Sequence, residues 1–562
     1  MRIKHPLAAA IILSSIGAPT LANANEIEEI TVTATKRQGV EVQDVAASIS
    51  VYGAEELKNG RVQSMTDLTN IDPSLNSIST QSTSSTRIGM RGLTTPANNV
   101  GFEAAVGVSI DGVPRARTGI ALSEMPELAS MEVLRGPQGT LFGRNTSGGV
   151  ININTAKPNA EGGGFVEVSM GNYNARSVQA AINLPINDQW TGRIDAKDRE
   201  RDGFLDNILS DTDVNSIDRS MVRGQLTFEG EDSSLRLIAD WGEDQSICCG
   251  ALLTVVGTPS ATQPYQLAAG HPAYGSDDIN DLEVALNKTP TNDINEWGVS
   301  AEYNLDIDGN KFTSITAYRD WESLGQPDGD MSGTDLANPS QYSSDTVFTQ
   351  ELRLQGESGA VNWLVGAFYM HDEVEWDREA NTGDEWEVFA DIETVAATKK
   401  LGEKLTTAAS GMPAGDDKTA LLGVVSLIGN GLQAFGTMPS TAANSILTLP
   451  QFPGQSGFVG ETNSDVTSDM DLTTKAYAVF AHTEISLRED LTATLGIRYS
   501  DEQKDLSYVH ASGTPPTNDG CAISSQINKL AANEKKATGE VGALTQTLQG
   551  IGMQFLLSLI HI

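Results

Sequence analysis

The chain has 562 residues, 74 acidic and 37 basic side chains and a formal net charge of −37, and it is long enough for more than one domain. This acidity disfavours a sequence-independent nucleic-acid binder, which needs a basic surface, and it disfavours attraction to an anionic bilayer surface. Solvated loops account for the charge, and divalent-cation binding by such loops stays open. Cys248, Cys249 and Cys521 are too few for a disulfide-built fold, one long bridge stays open, and no spacing indicates zinc. Neither a metal nor a cofactor is therefore predicted.

Residues 1–24 have the pattern of a cleaved secretory signal peptide. Arg2 and Lys4 precede an apolar run, Leu7 to Ile16, that is too short to span a bilayer, and small residues follow at positions 22–24. No other apolar run approaches the length of a spanning helix. The sequence therefore predicts export, either to the periplasm or into an outer-membrane β-barrel.

Glycine-rich turns separate short apolar strands between Val106 and Asn154. Asp111-Gly112 forms a turn after Val106–Ile110, and the run RGPQG follows the strand Met131–Leu134. Phosphate binding is disfavoured because neither GxxxxGK(S/T) nor GxGxxG occurs here. The stretches IDGVP and ELASMEVLRGPQGTLFGRNTSGGVINI closely resemble the plug domain of TonB-dependent outer-membrane receptors. The resemblance implies a plug over residues 38–158.

A β-branched segment lies in the N-terminal region, residues 25–37, between the predicted signal and the plug. It has high strand propensity, and such a segment can add to the edge of another protein's sheet. It resembles the TonB box of the family, which implies that it binds TonB of the TonB-ExbB-ExbD inner-membrane complex. The predicted TonB-binding residues are Glu29, Ile30, Thr31, Val32, Thr33 and Ala34.

The plug is predicted to be an α+β domain. Val45–Val51 is strand-like, and short helices are favoured over Ala54–Asn59 and Ser64–Leu68. The resemblance implies that the links at Ser79–Ser85 and Arg115–Ser123 face outward and sense the ligand. It also implies a periplasmic-side turn over residues 94–103. The candidate ligand-binding residues are Ser82, Ser84, Arg115 and Arg117.

Arginines recur near the turns of the predicted plug, at positions 87, 91, 135 and 144. Inside a barrel they would be partly desolvated and would need carboxylate partners, which the planar guanidinium group binds well. The resemblance implies contacts between plug arginines and glutamates of the barrel wall. Arg91 and Arg135 are the expected arginines. Glu351, on an inward position of the strand-like Phe348–Leu354, is the expected partner.

Residues 159–562 are predicted to form part of an antiparallel transmembrane β-barrel. Apolar and polar residues alternate in many segments, which places one set on each face of a strand. These segments run to about ten residues, the length that a tilted spanning strand needs, whereas strands of a soluble β-sandwich average ~5–6. Short links at Asn187-Asp188 and Arg488–Asp490 fit the periplasmic side. Long links over Gly242–Asn295 and Trp376–Thr473 fit the extracellular side, and the second has helical character over residues 393–408 and 419–434.

The number of strand candidates differs from that of the family. About eleven can be counted after the plug, whereas large receptors of this kind have about twenty-two. The last residues, 554–562, are apolar without alternation and follow a helix-prone stretch, Ser524–Leu548. The chain is therefore expected to hold about half of the barrel, as an open sheet that forms no transport-competent pore.

The expected function is TonB-dependent uptake of a scarce nutrient across the outer membrane, with a ferric siderophore as the first expectation. Cobalamin, haem or carbohydrate as ligand stays open, as does a passive barrel or a non-functional remnant of a receptor. No catalytic constellation occurs, so an enzyme is not predicted. The implied partners are TonB, a small iron chelate and outer-membrane lipid.

Overall fold

The computed structural model describes most of the chain between residues 31 and 512. The described ranges are 31–33, 35–37, 40–78, 86–95, 100–117, 124–252, 278–385, 410, 466–488 and 491–512. Several predictions lie outside these residues: the signal peptide, Glu29, Ile30, Ala34, Ser82, Ser84, Cys521, the helical segments of the long link, and the C-terminal stretch.

The first part of the chain is a small α+β domain, as predicted. Its elements are β1 (Thr31–Val32), β2 (Val40–Glu41), a 3-10 turn (Val42–Asp44), β3 (Ser48–Gly53), α1 (Ala54–Asn59), a 3-10 helix (Met65–Asn70), β4 (Leu75–Ile78), β5 (Arg87–Met90), β6 (Val106–Ile110), β7 (Val113–Arg115), β8 (Leu128–Arg135) and β9 (Gly149–Thr155). Five strands form a mixed sheet in the order β3-β8-β9-β6-β7, in which only the β6–β9 pair is parallel. The pairs β1–β2 and β4–β5 are separate and antiparallel.

Buried apolar side chains hold this domain together. Met90, Val106, Met131 and Ile151 are completely buried and pack in one cluster with the residues of α1 and the 3-10 helix. The second predicted helix is a short 3-10 helix, and Ser64 and Asp67 cap its first turn reciprocally. The apolar runs noted in the sequence therefore form the core of the sheet.

The rest of the described chain is a large antiparallel sheet, here called the wall. The strands of this region are β10 (Gly163–Met170), β11 (Arg176–Pro185), β12 (Trp190–Arg201), β13 (Asp206–Asn207), β14 (Ile217–Glu229), β15 (Ser233–Asp244), β16 (Glu283–Val284), β17 (Thr291–Ile307), β18 (Asn310–Gln326), β19 (Ala337–Ser358), β20 (Val361–Thr382), β21 (Val466–Arg488) and β22 (Leu491–Ser512). All except β13 and β16 form one 11-stranded sheet in chain order. Within the described ranges β10 and β22 are not paired with each other, so this sheet is open.

The two faces of the wall have opposite character, as the alternation predicts. On β12, Arg193 and Asp195 are 4% and 2% exposed, whereas Ile194 between them is 47% exposed. The same alternation recurs on β14, where Val222 is exposed and the next residue, Arg223, is buried. Charged side chains therefore point to the plug, and apolar side chains cover the outer face, which is the arrangement of a membrane-spanning wall. Among the described helices, none has the length and apolar character needed to cross a membrane.

The links between wall strands differ in length on the two sides, as predicted. Short links follow β11, β14, β17, β19 and β21, and long ones follow β15 and β20. β21 begins at Val466, so the second long link is shorter than the sequence predicts. β16, in the first long link, pairs in parallel with β13, in the link after β12, over a small core that includes Leu205 and Val214. Cys248 and Cys249 are joined to each other in this region.

The predicted periplasmic-side turn at residues 94–103 is placed differently by the structure. Val100 packs against a buried cluster of the wall that includes Val374 and Met470. These residues lie toward the ends of β20 and β21 that are remote from the short links. Val100, in the described part of this segment, therefore lies toward the side of the long links, which contradicts the expectation of a periplasmic-side turn.

Candidate functional site

The N-terminal segment is docked onto the plug sheet. Val32 in β1 is 1% exposed, and its neighbour Thr33 donates from its backbone N–H to Glu132 over 2.7 Å. The Thr33 hydroxyl lies 3.0 Å from the same carboxylate oxygen and accepts from the Asn152 amide at 2.9 Å. Glu132 is itself completely buried. The described part of the predicted TonB box is thus held by the domain that follows it.

Lys36, just after the box, lies in a socket between the plug and the wall. Its Nζ lies 2.8 and 2.7 Å from the two carboxylate oxygens of Glu351 on β19. The same atom lies 5.2 and 5.7 Å from the ring centroids of Phe142 and Phe480, which adds cation–π attraction. Burial lowers the pKa of Lys36, and Glu351 opposes that shift by favouring the charged form. The segment is therefore fastened to the wall by a buried ion pair.

Arg37 makes a second attachment beside the first. Its Nη2 pairs with Glu484 on β21, close to the short link at residues 489–490. His482 Nε2 lies 3.6 Å from the same carboxylate. Consecutive basic residues thus attach the N-terminal segment to two different strands near the short-link end of the wall.

The β6–β7 hairpin of the plug is seated in the wall through its turn residue Asp111. Arg223 on β14 pairs with this carboxylate, and Arg236 on β15 lies 3.2 Å from it. Thr155 donates to it from its N–H at 3.0 Å and from its hydroxyl at 2.8 Å. Burial raises the pKa of Asp111, but Arg236, Arg223 and Thr155 outweigh it and hold the pKa at about 2. Asp111 is thus a buried, ionised anchor.

Arg115 and Arg117, predicted to contact the ligand, are both buried against the wall. Arg117 lies 2.8 Å from Asp345 and 3.2 Å from Asp372, on neighbouring strands β19 and β20. Burial lowers the pKa of Arg117, but these two carboxylates outweigh it, so its pKa is raised. At 5% exposure each, the two arginines do not face outward. The sequence prediction is wrong here because it placed this link at an apex, whereas the hairpin inserts between charged strands.

The predicted pairing of Arg91 or Arg135 with Glu351 is also wrong. Arg135 lies 2.8 Å from Asp72 and donates to Ser50 at 2.7 Å, all within the plug. Among the described residues, the side chain of Arg91 donates only to the Ser48 hydroxyl, at 3.3 Å. Both arginines therefore bond within the plug, and Lys36 takes the place beside Glu351.

Other ion pairs join the plug to the wall at positions that the sequence did not single out as contacts. Arg144, noted only as an arginine near a turn, pairs with Glu103 and lies 3.5 Å from Glu502 on β22. Alternation indicates which wall residues point inward, but the choice of partner depends on how the plug is seated. The further pairs are Lys58–Glu167, Lys197–Glu124, Arg199–Glu124, Arg193–Glu127 and Lys504–Glu103. Across the ranges that the structure describes, no group of three or more His, Cys, Asp or Glu side chains is arranged to hold a metal ion.

A plug seated by buried ion pairs on the charged face of a wall with an apolar outer face defines the class of plugged outer-membrane receptors. Residues 41–150 match the model of the TonB-dependent Receptor Plug Domain. Residues 41–150 therefore form a plug domain of the TonB-dependent receptor family.

Curated relatives match over a limited part of the chain. The pesticin receptor of Yersinia pestis is 29% identical over 188 residues, which cover 33% of this chain and 27% of that protein. The ferrioxamine B receptor of Salmonella typhimurium is 36% identical over 61 residues, which cover 11% of this chain and 9% of that protein. The matches thus span less than a third of each relative.

Two solved structures extend the likeness to the wall. The ferric yersiniabactin uptake receptor of Yersinia pestis aligns with a TM-score of 0.60 at 16% identity, over 84% of this chain and 59% of that chain. The ferripyoverdine receptor of Pseudomonas aeruginosa aligns with a TM-score of 0.57 at 15% identity, over 86% of this chain and 56% of that chain. The chain therefore shares their fold and spans somewhat more than half of their length.

Proposed function

We propose that the receptor to which this plug and wall belong takes up an iron chelate, a ferric siderophore, across the outer membrane by a TonB-driven movement of the plug. The observation that carries the proposal is the N-terminal segment, which is docked by Val32 and Thr33 and fastened by Lys36 and Arg37. A segment held in this way at the short-link end of the wall has a position from which an inner-membrane partner can pull. The plug match and the receptors of similar fold support the same reading.

TonB is the proposed partner, and residues 29–34 are its proposed binding site. A strand of this kind binds by adding to the edge of a partner's sheet, where its backbone supplies the hydrogen bonds. Thr31 and Val32 already pair with Glu41 and Val40 in β2. The pairing with β2 and the bond from the Thr33 N–H to Glu132 occupy backbone groups of the segment, so we propose that it leaves the plug before TonB binds. Release of the box is therefore the step that ligand binding would control.

The ligand is proposed to enter from the side of the long links. Phe102 is 60% exposed in the segment that packs near that end of the wall, and Leu93 is 54% exposed. Ser82 and Ser84 stay proposed ligand contacts on the neighbouring link. Arg115 and Arg117 are assigned instead to seating of the plug, since both are buried against the wall.

The test is substitution of Val32 by proline at the gene's own locus. Proline removes a backbone donor and fixes φ, so it prevents strand addition without changing the ligand side. Cells are given a panel of ⁵⁵Fe-loaded chelates: yersiniabactin, ferrioxamine B and pyoverdine. We expect one chelate to bind Val32→Pro cells as it binds wild type, with energised uptake lost.

Val32→Thr is the matched control, because it keeps the N–H and the β-branched side chain, and it should retain uptake. Collapse of the proton gradient should stop uptake in the wild type and leave binding. Uptake that persists in Val32→Pro cells, or that survives the loss of the gradient, would contradict TonB-driven transport and favour a passive barrel.

A further inference from the structure

A small cavity lies where the β6–β7 hairpin of the plug meets wall strands β15, β17 and β18. Its volume is about 10 Å³, enough for about one water molecule or small ion. The side chains that give it polar character are Arg115, Arg223, Arg319, Asp111, Asp240 and Ser300. The cavity is thus partly open between the two domains, and five charged side chains line it together with apolar ones.

Arg115 is the side chain around which this cavity is built. It is 5% exposed, and neither its Nε nor its Nη1 has a hydrogen-bond partner among the described residues. Burial, with the adjacent Arg319 guanidinium, lowers the pKa of Arg115 to about 9, so the group is still charged at neutral pH. A buried guanidinium with unused donors is strongly unfavourable unless a negative partner completes it.

The surrounding carboxylates are already engaged by other arginines. Asp240 lies 2.8 Å from Arg319 and 3.2 Å from Arg223. Glu296 lies 3.2 Å from Arg319 as well. Asp111 accepts from Arg223, from Arg236 and twice from Thr155. None of these three carboxylates makes a hydrogen bond or ion pair to Arg115 within the described part of the chain.

The fixed charges of this cluster do not balance. Its guanidinium groups outnumber its carboxylates by one, and every side chain in it is at most 10% exposed. The members are Arg115, Arg223, Arg236 and Arg319 against Asp111, Asp240 and Glu296. A single bound negative charge beside Arg115 would make the cluster neutral.

We propose that this cavity binds one monovalent inorganic anion of chloride size, held chiefly by the Nε–H and Nη1–H groups of Arg115. The small volume favours a single small ion over phosphate, a carboxylate or part of an iron chelate. The anion is therefore a structural component of the seated plug and is distinct from the transported ligand. It neutralises the excess positive charge at the contact between the plug and the wall. This contact is broken only if the plug moves.

The test measures thermal unfolding of the purified full chain in detergent at constant ionic strength. Sodium chloride and sodium bromide are compared with sodium gluconate, whose anion is too large for the cavity. We expect a saturable rise of about 2–4 °C in the midpoint with chloride and with bromide relative to gluconate. Bromide should give an anomalous diffraction peak beside Arg115 in crystals of the wild-type protein.

Arg115→Gln should abolish the halide-dependent rise, because it removes both the excess positive charge and the N–H groups proposed to bind the anion. Arg61→Gln is the control: Arg61 is an exposed plug arginine, so the same change of charge should leave the rise intact. Equal midpoints of the wild type in all three salts would overturn the proposal. A halide effect that persists in Arg115→Gln would also overturn it. The absence of a bromide peak beside Arg115 in wild-type crystals would do the same, and this experiment does not depend on the folding of a variant.

Discussion

Lys36 and Glu351 form the ion pair that joins the N-terminal segment to the wall, with Nζ at 2.8 and 2.7 Å from the two carboxylate oxygens. The two residues are 315 positions apart in the chain, and both side chains are nearly buried. Removal of one member of a buried pair leaves the other desolvated and unpaired, which costs about 3–5 kcal/mol. The pair therefore stabilises the docked position of the box and opposes its release.

Substitution of Lys36 by methionine should loosen the docked segment. The methionine keeps the apolar contacts with Phe142 and Phe480 but leaves Glu351 without its partner. We expect hydrogen–deuterium exchange of the amides in residues 31–37 to become at least about tenfold faster, since each 1.4 kcal/mol is a factor of ten. Glu351→Gln should have the same effect.

Lys58→Met provides the control for that experiment. Lys58 pairs with Glu167 at 3.0 Å, but the two side chains are 72% and 45% exposed. Exposed pairs contribute little, so exchange in residues 31–37 should be unchanged in Lys58→Met. Exchange that stays slow in Lys36→Met would show that Val32 and Thr33 alone hold the segment.

Arg135 should couple to Asp72 and not to Glu351. Burial raises the pKa of Asp72, but hydrogen bonds from Ser74 and the charge of Arg135 outweigh it and lower the pKa. Arg135→Ala and Asp72→Ala should therefore be less than additive, with a coupling energy of about 1–3 kcal/mol. The free energy of plug opening, from amide exchange of β3 and β8, measures it. Arg135→Ala and Glu351→Ala should be additive in the same assay, and a coupling between those two would contradict the observed pairing.

The plug and the faces of the wall were predictable because they depend on local patterns. The helix over Ala54–Asn59 has the predicted bounds, and the alternation on β12 places Arg193 inward and Ile194 outward. The resemblance of the stretch around Arg135 located the domain that the family model matches. These features require only the spacing of residues and a short motif.

The partners of the charged residues were not predictable in the same way. Glu351 was expected to point inward and to bind a plug cation, but the cation is Lys36 rather than an arginine of the sheet. Arg117 was assigned to an apex, although it lies between Asp345 and Asp372. Each pairing depends on the orientation of the plug within the wall, and that orientation brings together residues hundreds of positions apart. No local pattern contains this information.

Asp111 should make the seating of the plug sensitive to acid. Its pKa of about 2 in the folded protein is below the value of about 4 expected in the unfolded chain. A depressed pKa contributes stability that is complete above the unfolded value and is lost as pH falls toward the folded value. The difference in free energy of unfolding between wild type and Asp111→Asn should thus be largest at pH 7. This difference should become smaller as the pH falls below about 4. Thermal midpoints of both proteins, measured at a series of pH values, check it.

Asp278→Asn is the control for the acid series. Hydrogen bonds from Asn280 lower the pKa of Asp278, but this carboxylate is exposed to solvent. Its substitution should change the midpoint little at any pH. A difference between wild type and Asp111→Asn that stayed constant from pH 7 to pH 3 would mean that the Asp111 carboxylate is not the group that titrates.

Gly149, at the start of β9, should tolerate no side chain. Its φ is 150°, and a Cβ there would meet the Met90 sulfur and the carbonyl oxygen of Leu134 in the plug core. Met90 is completely buried and cannot withdraw into solvent. Gly149→Ala should therefore lower the free energy of plug opening by more than the ~1–3 kcal/mol typical of overpacking, because backbone strain adds to the clash.

Gly136→Ala separates the two contributions. Gly136 also has a positive φ, 87°, but no described atom lies within 4 Å of the position of its Cβ. Its substitution should lower stability by about 1 kcal/mol through backbone strain alone. Amide exchange in β8 and β9 measures both variants. The reading of Gly149 as a packing requirement predicts much faster exchange in Gly149→Ala than in Gly136→Ala, and equal rates would mean that the core of the plug can shift to admit a methyl group.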